Sequence, residues 1–138
     1  MNKVEHLKLI QAVITRMASN SFLLKGWSVT VVAALFALAA KDANAKPWAV
    51  LVAFLPALTF WGLDGFFLWQ EKLFRKHYDR VRRVAGDESD FSMDTAGVPD
   101  PPTWLGTTFS KTLVPFHGAV IATIIVVACA LYGRHLCG

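Results

Sequence analysis

The sequence has few residues of the kinds that build catalytic or metal sites. Neither its two cysteines nor its four histidines form a pair at metal-ligand spacing. There is no glycine-rich phosphate loop, and serine and histidine are not spaced for nucleophilic catalysis. The histidines fall in different segments of the chain: His6, His77, His117 and His135. We therefore expect a protein that is not an enzyme and that carries no cofactor and no metal.

Apolar residues, in contrast, make up 54% of the chain and are concentrated in three long runs. The runs extend from about Phe22 to Ala40, from about Trp48 to Trp69 and from about Leu113 to Tyr132. A helix rises about 1.5 Å per residue and needs roughly 20 apolar residues to cross the hydrocarbon core of a bilayer. The runs predict an all-α, multi-pass membrane protein with three transmembrane helices.

One triplet suggests a different interpretation of the first run. Ala43-Asn44-Ala45 resembles a signal-peptidase site after an apolar stretch. The positively charged region before that stretch is about 25 residues long, however, and has a helical pattern of its own. We therefore expect an uncleaved transmembrane span.

The basic residues divide unevenly between the two sides of a three-span topology. Eleven of the 14 precede the first run, lie at its beginning (Lys25) or lie between the second and the third, and only Lys41, Lys46 and Arg134 lie on the other side. The positive-inside rule then predicts a cytoplasmic N-terminus, a cytoplasmic loop at 70–112 and an external C-terminus, that is, N-in/C-out.

The residues before the first run have the pattern of an amphipathic helix. Asn2 and Glu5 form a capping-box pattern that would begin it. One face carries residues at steps of three and four, namely Leu7, Ile10, Ile14, Met17 and Ser21. We predict a cytoplasmic amphipathic helix at 1–21, a candidate gate, and a three-span transmembrane domain at 22–138. The helix would either lie on the inner leaflet or pack on the same helix of other subunits, and a period near 3.5 favours the second arrangement.

Two features of the spans bear on packing. Small residues recur in the first and third spans, which favours close helix contacts and self-association into a homo-oligomer. Pro56 lies near the middle of the second span, where its missing N–H predicts a kink.

Asp64 is the most unusual residue within the spans, because an intramembrane carboxylate is costly and suggests a pathway or an ion pair. The predicted topology puts Lys25, Asp64 and His117 in one layer near the cytoplasmic leaflet. This layer would be either a polar cluster at a gate or a structural ion pair in which Lys25 extends to the interface.

The chain after Trp69 continues a helical pattern to about Val84. Its basic run, Lys72 to Arg83, would bind either nucleic acid phosphates or, as we favour, anionic lipid head groups. The segment from Gly86 to Thr108 is rich in acidic residues and proline and has no basic residue. It predicts a cytoplasmic loop without strands, which could fold back on the basic helix.

The stretch from Glu5 to Phe22, followed by Lys25-Gly26-Trp27, resembles the opening of a family of small bacterial membrane proteins. The chain is similar to the transmembrane effector of the Hailong anti-phage defence system over roughly its first 40 residues and in its span count. The resemblance implies a homo-oligomeric ion channel in the bacterial inner membrane, toxic to the infected cell when open. It also implies a nucleotidyltransferase partner that makes a single-stranded oligodeoxyadenylate, which binds the N-terminal helices and keeps the channel closed.

On this resemblance the polar face of the N-terminal helix would bind the DNA strand. Basic groups would pair with phosphates and polar side chains would contact base edges. The residues concerned are Lys8, Gln11, Thr15, Arg16 and Ser19. Two alternatives remain open: a non-conducting membrane scaffold or accessory subunit, and a holin-like lysis protein.

Overall fold

The computed structural model describes residues 2–42, 46, 48–86 and 90–137. Its helices are α1 (Lys3–Lys41), α2 (Trp48–Leu51), α3 (Phe54–Arg83), α4 (Trp104–Thr108) and α5 (Val114–Cys137). No strand occurs among the described residues. Three helical segments are long and apolar enough to span a membrane: α1, α2 together with α3, and α5.

Some of the predicted features fall on residues outside the described ranges. The signal-peptidase-like triplet Ala43-Asn44-Ala45 lies outside the described residues, as do Asp87 and Glu88 of the acidic segment. The N-in/C-out orientation stays a prediction, and so does the division of the chain at residues 21 and 22.

Helix α1 is one continuous helix of 39 residues. It begins with the predicted capping box, in which the Asn2 side chain accepts from the Glu5 N–H at 2.9 Å and the Glu5 carboxylate accepts from the Asn2 N–H at 3.2 Å. The helix runs through Gly26 without interruption. Its outward face is mostly polar as far as Ser19, apart from exposed Val4 and Leu9, and exposed Phe22 and Leu23 follow immediately after it, which indicates where a bilayer would begin.

The buried seam of α1 packs on α3 of the same chain. Ile10 and Ile14 form a cluster with Val81, and Phe74 and Tyr78 pack against it. This corrects the two arrangements expected from the sequence, because the seam faces neither a lipid surface nor another copy of α1. The reason is that the basic extension of α3 has an apolar stripe of its own, which gives the seam a partner. The seven charged residues interspersed between positions 72 and 83 obscured this stripe in the sequence.

The second span is interrupted at Val52 and Ala53, one turn before Pro56. Pro56 has no N–H to donate to the Val52 carbonyl, and the Leu55 N–H donates to that carbonyl instead, at 3.1 Å. Ala53 likewise donates to Val50, three residues back, at 3.1 Å. The predicted kink is therefore a break between α2 and α3, displaced toward the N-terminus by the geometry of the proline ring.

Residues 90–103, which we call the return loop, fold back on the extension of α3. Lys76 donates to the carbonyls of Pro99 (3.4 Å) and Asp100, and Trp69 donates its indole N–H to that of Pro102 at 2.7 Å. The predicted fold-back is thus present, but most of these contacts use carbonyl groups rather than acidic side chains. The loop prediction missed α4, which Thr103 caps by accepting from the Gly106 N–H at 3.1 Å.

Candidate functional site

Four polar side chains meet between the three spans, and we call them the Asp64 cluster. Asp64 is fully buried, and its Oδ2 lies 2.7 Å from Lys25 Nζ and 2.7 Å from His117 Nε2. Ser21 Oγ donates to Asp64 Oδ1 and accepts from Lys25 Nζ at 3.0 Å. The three residues predicted to share one layer are therefore in direct contact, and Ser21 joins them.

Each span contributes to this cluster. Ser21 and Lys25 lie one turn apart on the buried side of α1, Asp64 comes from α3 and His117 from the first turn of α5. Because a carboxylate accepts and an ammonium donates, both Lys25 and His117 direct N–H groups at Asp64. The cluster joins all three spans through one buried carboxylate.

An aromatic and backbone shell surrounds the cluster. The Trp61 ring stacks on that of His117 with centroids 5.8 Å apart and an interplanar angle of 7°. Trp61 also donates its indole N–H to the Thr108 carbonyl at 2.9 Å, and Trp104 donates to the Gly62 carbonyl at 3.2 Å. Gly65 permits this approach, since a Cβ there would lie 3.1 Å from Thr108 Cα. Trp61 thus links α3 to the end of α4 and to α5.

Chemically, the cluster concentrates charge where a bilayer would exclude water. Loss of the Asp64 charge would leave an ammonium group without its counter-ion, and loss of Lys25 or of the His117 N–H donor would leave a buried carboxylate less compensated. His117 Nδ1 and Ser28 Oγ are also buried and have no hydrogen-bond partner among the described residues. The carboxylate oxygens of Asp64 therefore have hydrogen-bond partners, whereas His117 Nδ1 and Ser28 Oγ have none among the described residues.

The second predicted set lies elsewhere, on the outward face of α1. Lys8, Gln11, Thr15, Arg16 and Ser19 are all exposed. Thr15 Oγ1 donates to the Gln11 carbonyl at 3.0 Å, but within the described part of the chain neither Lys8 nor Arg16 forms an ion pair. We call these five side chains the polar face; they lie opposite the buried seam and do not touch the Asp64 cluster.

Sequence reasoning missed Ser21 and Trp61 as site residues. Ser21 was counted as part of the apolar seam, although a hydroxyl one turn before Lys25 on the same face was a usable signal. Nothing in the sequence pairs Trp61 with His117, because their contact depends on how α3 and α5 cross.

Two of the histidines, which lie in different segments of the sequence, meet in the folded chain. His6 and His77 meet at the far end of the α1–α3 contact, with ring centroids 6.0 Å apart in an edge-to-face arrangement. Both are buried. Their residues are 71 positions apart in the sequence, so only the antiparallel packing of α1 on α3 brings them together.

No protein-family model, curated protein or solved structure matches this chain. That the protein carries no metal stays a prediction. Within the described ranges, no group of three or more His, Cys, Asp or Glu side chains is arranged to hold a metal ion.

Proposed function

We propose that this chain is the subunit of a homo-oligomeric ion channel in the bacterial inner membrane, acting as an effector of anti-phage defence of the Hailong kind. The channel is closed by an oligodeoxyadenylate on the polar face and is toxic when open. The observation that carries the proposal is the continuity of α1, which runs from the polar face to the Asp64 cluster as one helix. A ligand on the polar face is thereby connected to a span by a rigid element.

The chemistry of the polar face suits an anionic strand. Lys8 and Arg16 are exposed cations two turns apart, and hydroxyl and amide groups lie between them. Lys3 and Lys25, which the sequence offered as further charges, are engaged elsewhere: Lys3 donates to the Arg82 carbonyl at 3.2 Å and Lys25 pairs with Asp64. Two cations per subunit bind an oligonucleotide weakly, so the proposal requires several subunits around one strand.

The exposed face of α1 continues into the span as a line of small residues, which supports α1 as the pore-lining helix. Gly26, Thr30, Ala33 and Ala37 are all exposed and follow Ser19 on the same side of the helix, and larger exposed side chains flank the line: Phe22, Leu23, Trp27 and Val29. Small side chains leave room for an aqueous path or for close contact between copies of α1. A DNA strand bound on the polar face, at one end of this line of small residues, would then close the aqueous path at the other end.

The Asp64 cluster would set the position of α1 within the subunit. It attaches α1 to α3 and α5 at the depth where the outward face changes from polar to apolar. Opening would require α1 to move against these ion pairs, so the cluster is the proposed gate layer. The remaining partner is the nucleotidyltransferase that supplies the strand, and the chain itself carries out no chemical reaction.

Ion flux from liposomes that contain the purified protein tests the proposal. We expect flux without ligand and its suppression by a short oligodeoxyadenylate, with oligodeoxythymidylate of equal length as the control. Flux that neither strand suppresses would support a channel but exclude the oligodeoxyadenylate as its ligand. No flux under any condition would leave the scaffold function, and lysis of the liposomes instead of selective flux would favour a holin.

A further inference from the structure

A second polar contact, separate from the Asp64 cluster, lies where the start of α1 meets the end of α3. The His6 ring is enclosed by His77 of α3 and by Phe91 of the return loop, with centroid distances of 6.0 Å and 5.5 Å. His6 is 0% exposed and His77 is 1% exposed. Three separate segments of the chain therefore converge on two imidazole rings.

The partners of His77 assign its protonation state. Arg80 Nη2 lies 3.0 Å from His77 Nδ1, and since a guanidinium only donates, Nδ1 accepts. His77 Nε2 lies 3.0 Å from the Ser92 carbonyl, which only accepts, so Nε2 carries the proton. The packed arrangement thus holds a neutral His77, and a second proton would fall on the nitrogen that faces Arg80.

His6 contributes ring packing rather than hydrogen bonds to this contact. Neither of its ring nitrogens has a hydrogen-bond partner among the residues that the structure describes. Its ring packs edge-to-face against the rings of His77 and Phe91 instead.

Charged groups on all three elements surround the pair. Arg80 on α3 and Lys3 on α1 are cationic, and Lys3 donates to the Arg82 carbonyl. Asp94 on the return loop favours a protonated His77, although its Oδ1 also accepts from the Ala96 N–H at 2.9 Å. Asp90 and Asp94 both line a cleft that His77 and Arg80 also line. Burial has the largest influence on the pKa of His77 and lowers it, and Arg80 and His6 lower it further. The hydrogen bond to the Ser92 carbonyl and the Asp94 carboxylate act in the opposite direction and raise it.

We infer that the His6–His77 contact is a proton-operated latch that holds the start of α1 and the return loop on α3 and releases them on acidification. A histidine whose pKa is lowered by packing stabilises the packed state above its unpacked pKa, about 6.5, and this stabilisation is lost as the pH falls through the lowered value. Release would free both the N-terminal half of α1 and residues 90–103. The latch does not depend on the proposed channel activity.

Distances between spin labels on the full-length protein in nanodiscs test the latch. Labels at Val4→Cys on α1 and Ala96→Cys in the return loop, both exposed sites, report on release, in a background that carries C129A and C137S. Labelled chains are diluted with unlabelled ones so that distances within one chain dominate. We expect one narrow distribution of label-to-label distances near pH 7.5. Near pH 5.0 we expect more than half of the molecules to shift reversibly to longer distances.

Two variants separate the latch from a general effect of acid. H6F keeps an aromatic ring against Phe91 without a titratable group, and H77Q keeps a donor for the Ser92 carbonyl. We expect H6F alone to weaken the pH response and H6F/H77Q to remove it, with the short distance retained at both pH values. An unchanged wild-type distribution near pH 5.0 would overturn the inference. So would release of H6F or H6F/H77Q at the same pH as the wild type.

Discussion

His117 and Asp64 lie 53 positions apart in the sequence, and their side chains meet at 2.7 Å between α5 and α3. Lys25 of α1 reaches the same oxygen at the same distance. A single carboxylate oxygen therefore receives one donor from each of the other two spans. This convergence decides which substitutions should disturb the spans most.

Replacing Asp64 by Asn should destabilise the protein strongly. The substitution removes the carboxylate that pairs with Lys25 and accepts from His117, and breaking a buried ion pair costs about 3–5 kcal/mol. We expect a clear fall in the thermal unfolding temperature in detergent. K25Q/D64N should lose less than the sum of the two single variants, because the two residues form one interaction.

The control for Asp64 is an exposed ion pair. Lys76 and Asp100 lie 3.7 Å apart at the surface, where such pairs contribute little. D100N should therefore leave the unfolding temperature nearly unchanged, and an equal loss in D64N and D100N would refute the importance of the buried cluster.

Gly65 and Gly118 form a second matched pair. A methyl group at position 65 would lie 2.9 Å from Thr108 Cβ and would force α4 away from α3, at a cost of roughly 1–3 kcal/mol. At position 118 no atom lies within 4 Å of the added Cβ. We expect G65A to lower the unfolding temperature and to expose Trp61 to collisional quenchers, whereas G118A should do neither.

Charge reversal on the polar face tests the ligand site. K8E and R16E should each weaken binding of an oligodeoxyadenylate by about tenfold or more, since each replaces a phosphate partner by a repelling group. They should also make expression toxic in cells without infection. K41E changes an exposed lysine at the other end of the same helix and should bind as the wild type does. If K8E and R16E bind the oligodeoxyadenylate and grow as the wild type does, the polar face is not the gate.

Labelling of cysteines tests the N-in/C-out topology. Cys137 should react with a membrane-impermeant maleimide in intact spheroplasts, whereas a thiol introduced as A96C in a C129A/C137S background should react only after permeabilisation. Cys129, on the apolar face of α5, should react in neither case. The reverse pattern for Cys137 and position 96 would invert the orientation.

Much of the local structure followed from the sequence. The capping box at Asn2 and Glu5 begins α1 as predicted, and α3 ends at Arg83, close to the predicted Val84. These features depend on neighbouring residues, so a linear pattern contains them. The break one turn before Pro56 was predicted only as a kink, because the position of the free carbonyl follows from helix geometry rather than from hydropathy.

The sequence by itself determined that the chain is helical, that three segments are apolar enough to span a membrane, and that Asp64 is an unusual residue within one of them. It did so because hydrophobic length, helical period and the cost of a buried carboxylate are properties of single segments. Only the tertiary structure decided that the α1 seam packs on α3, that Ser21 and Trp61 join the site, and that His6 meets His77. Each of these contacts joins distant segments, and their pairing is set by how the helices cross, which no local pattern encodes.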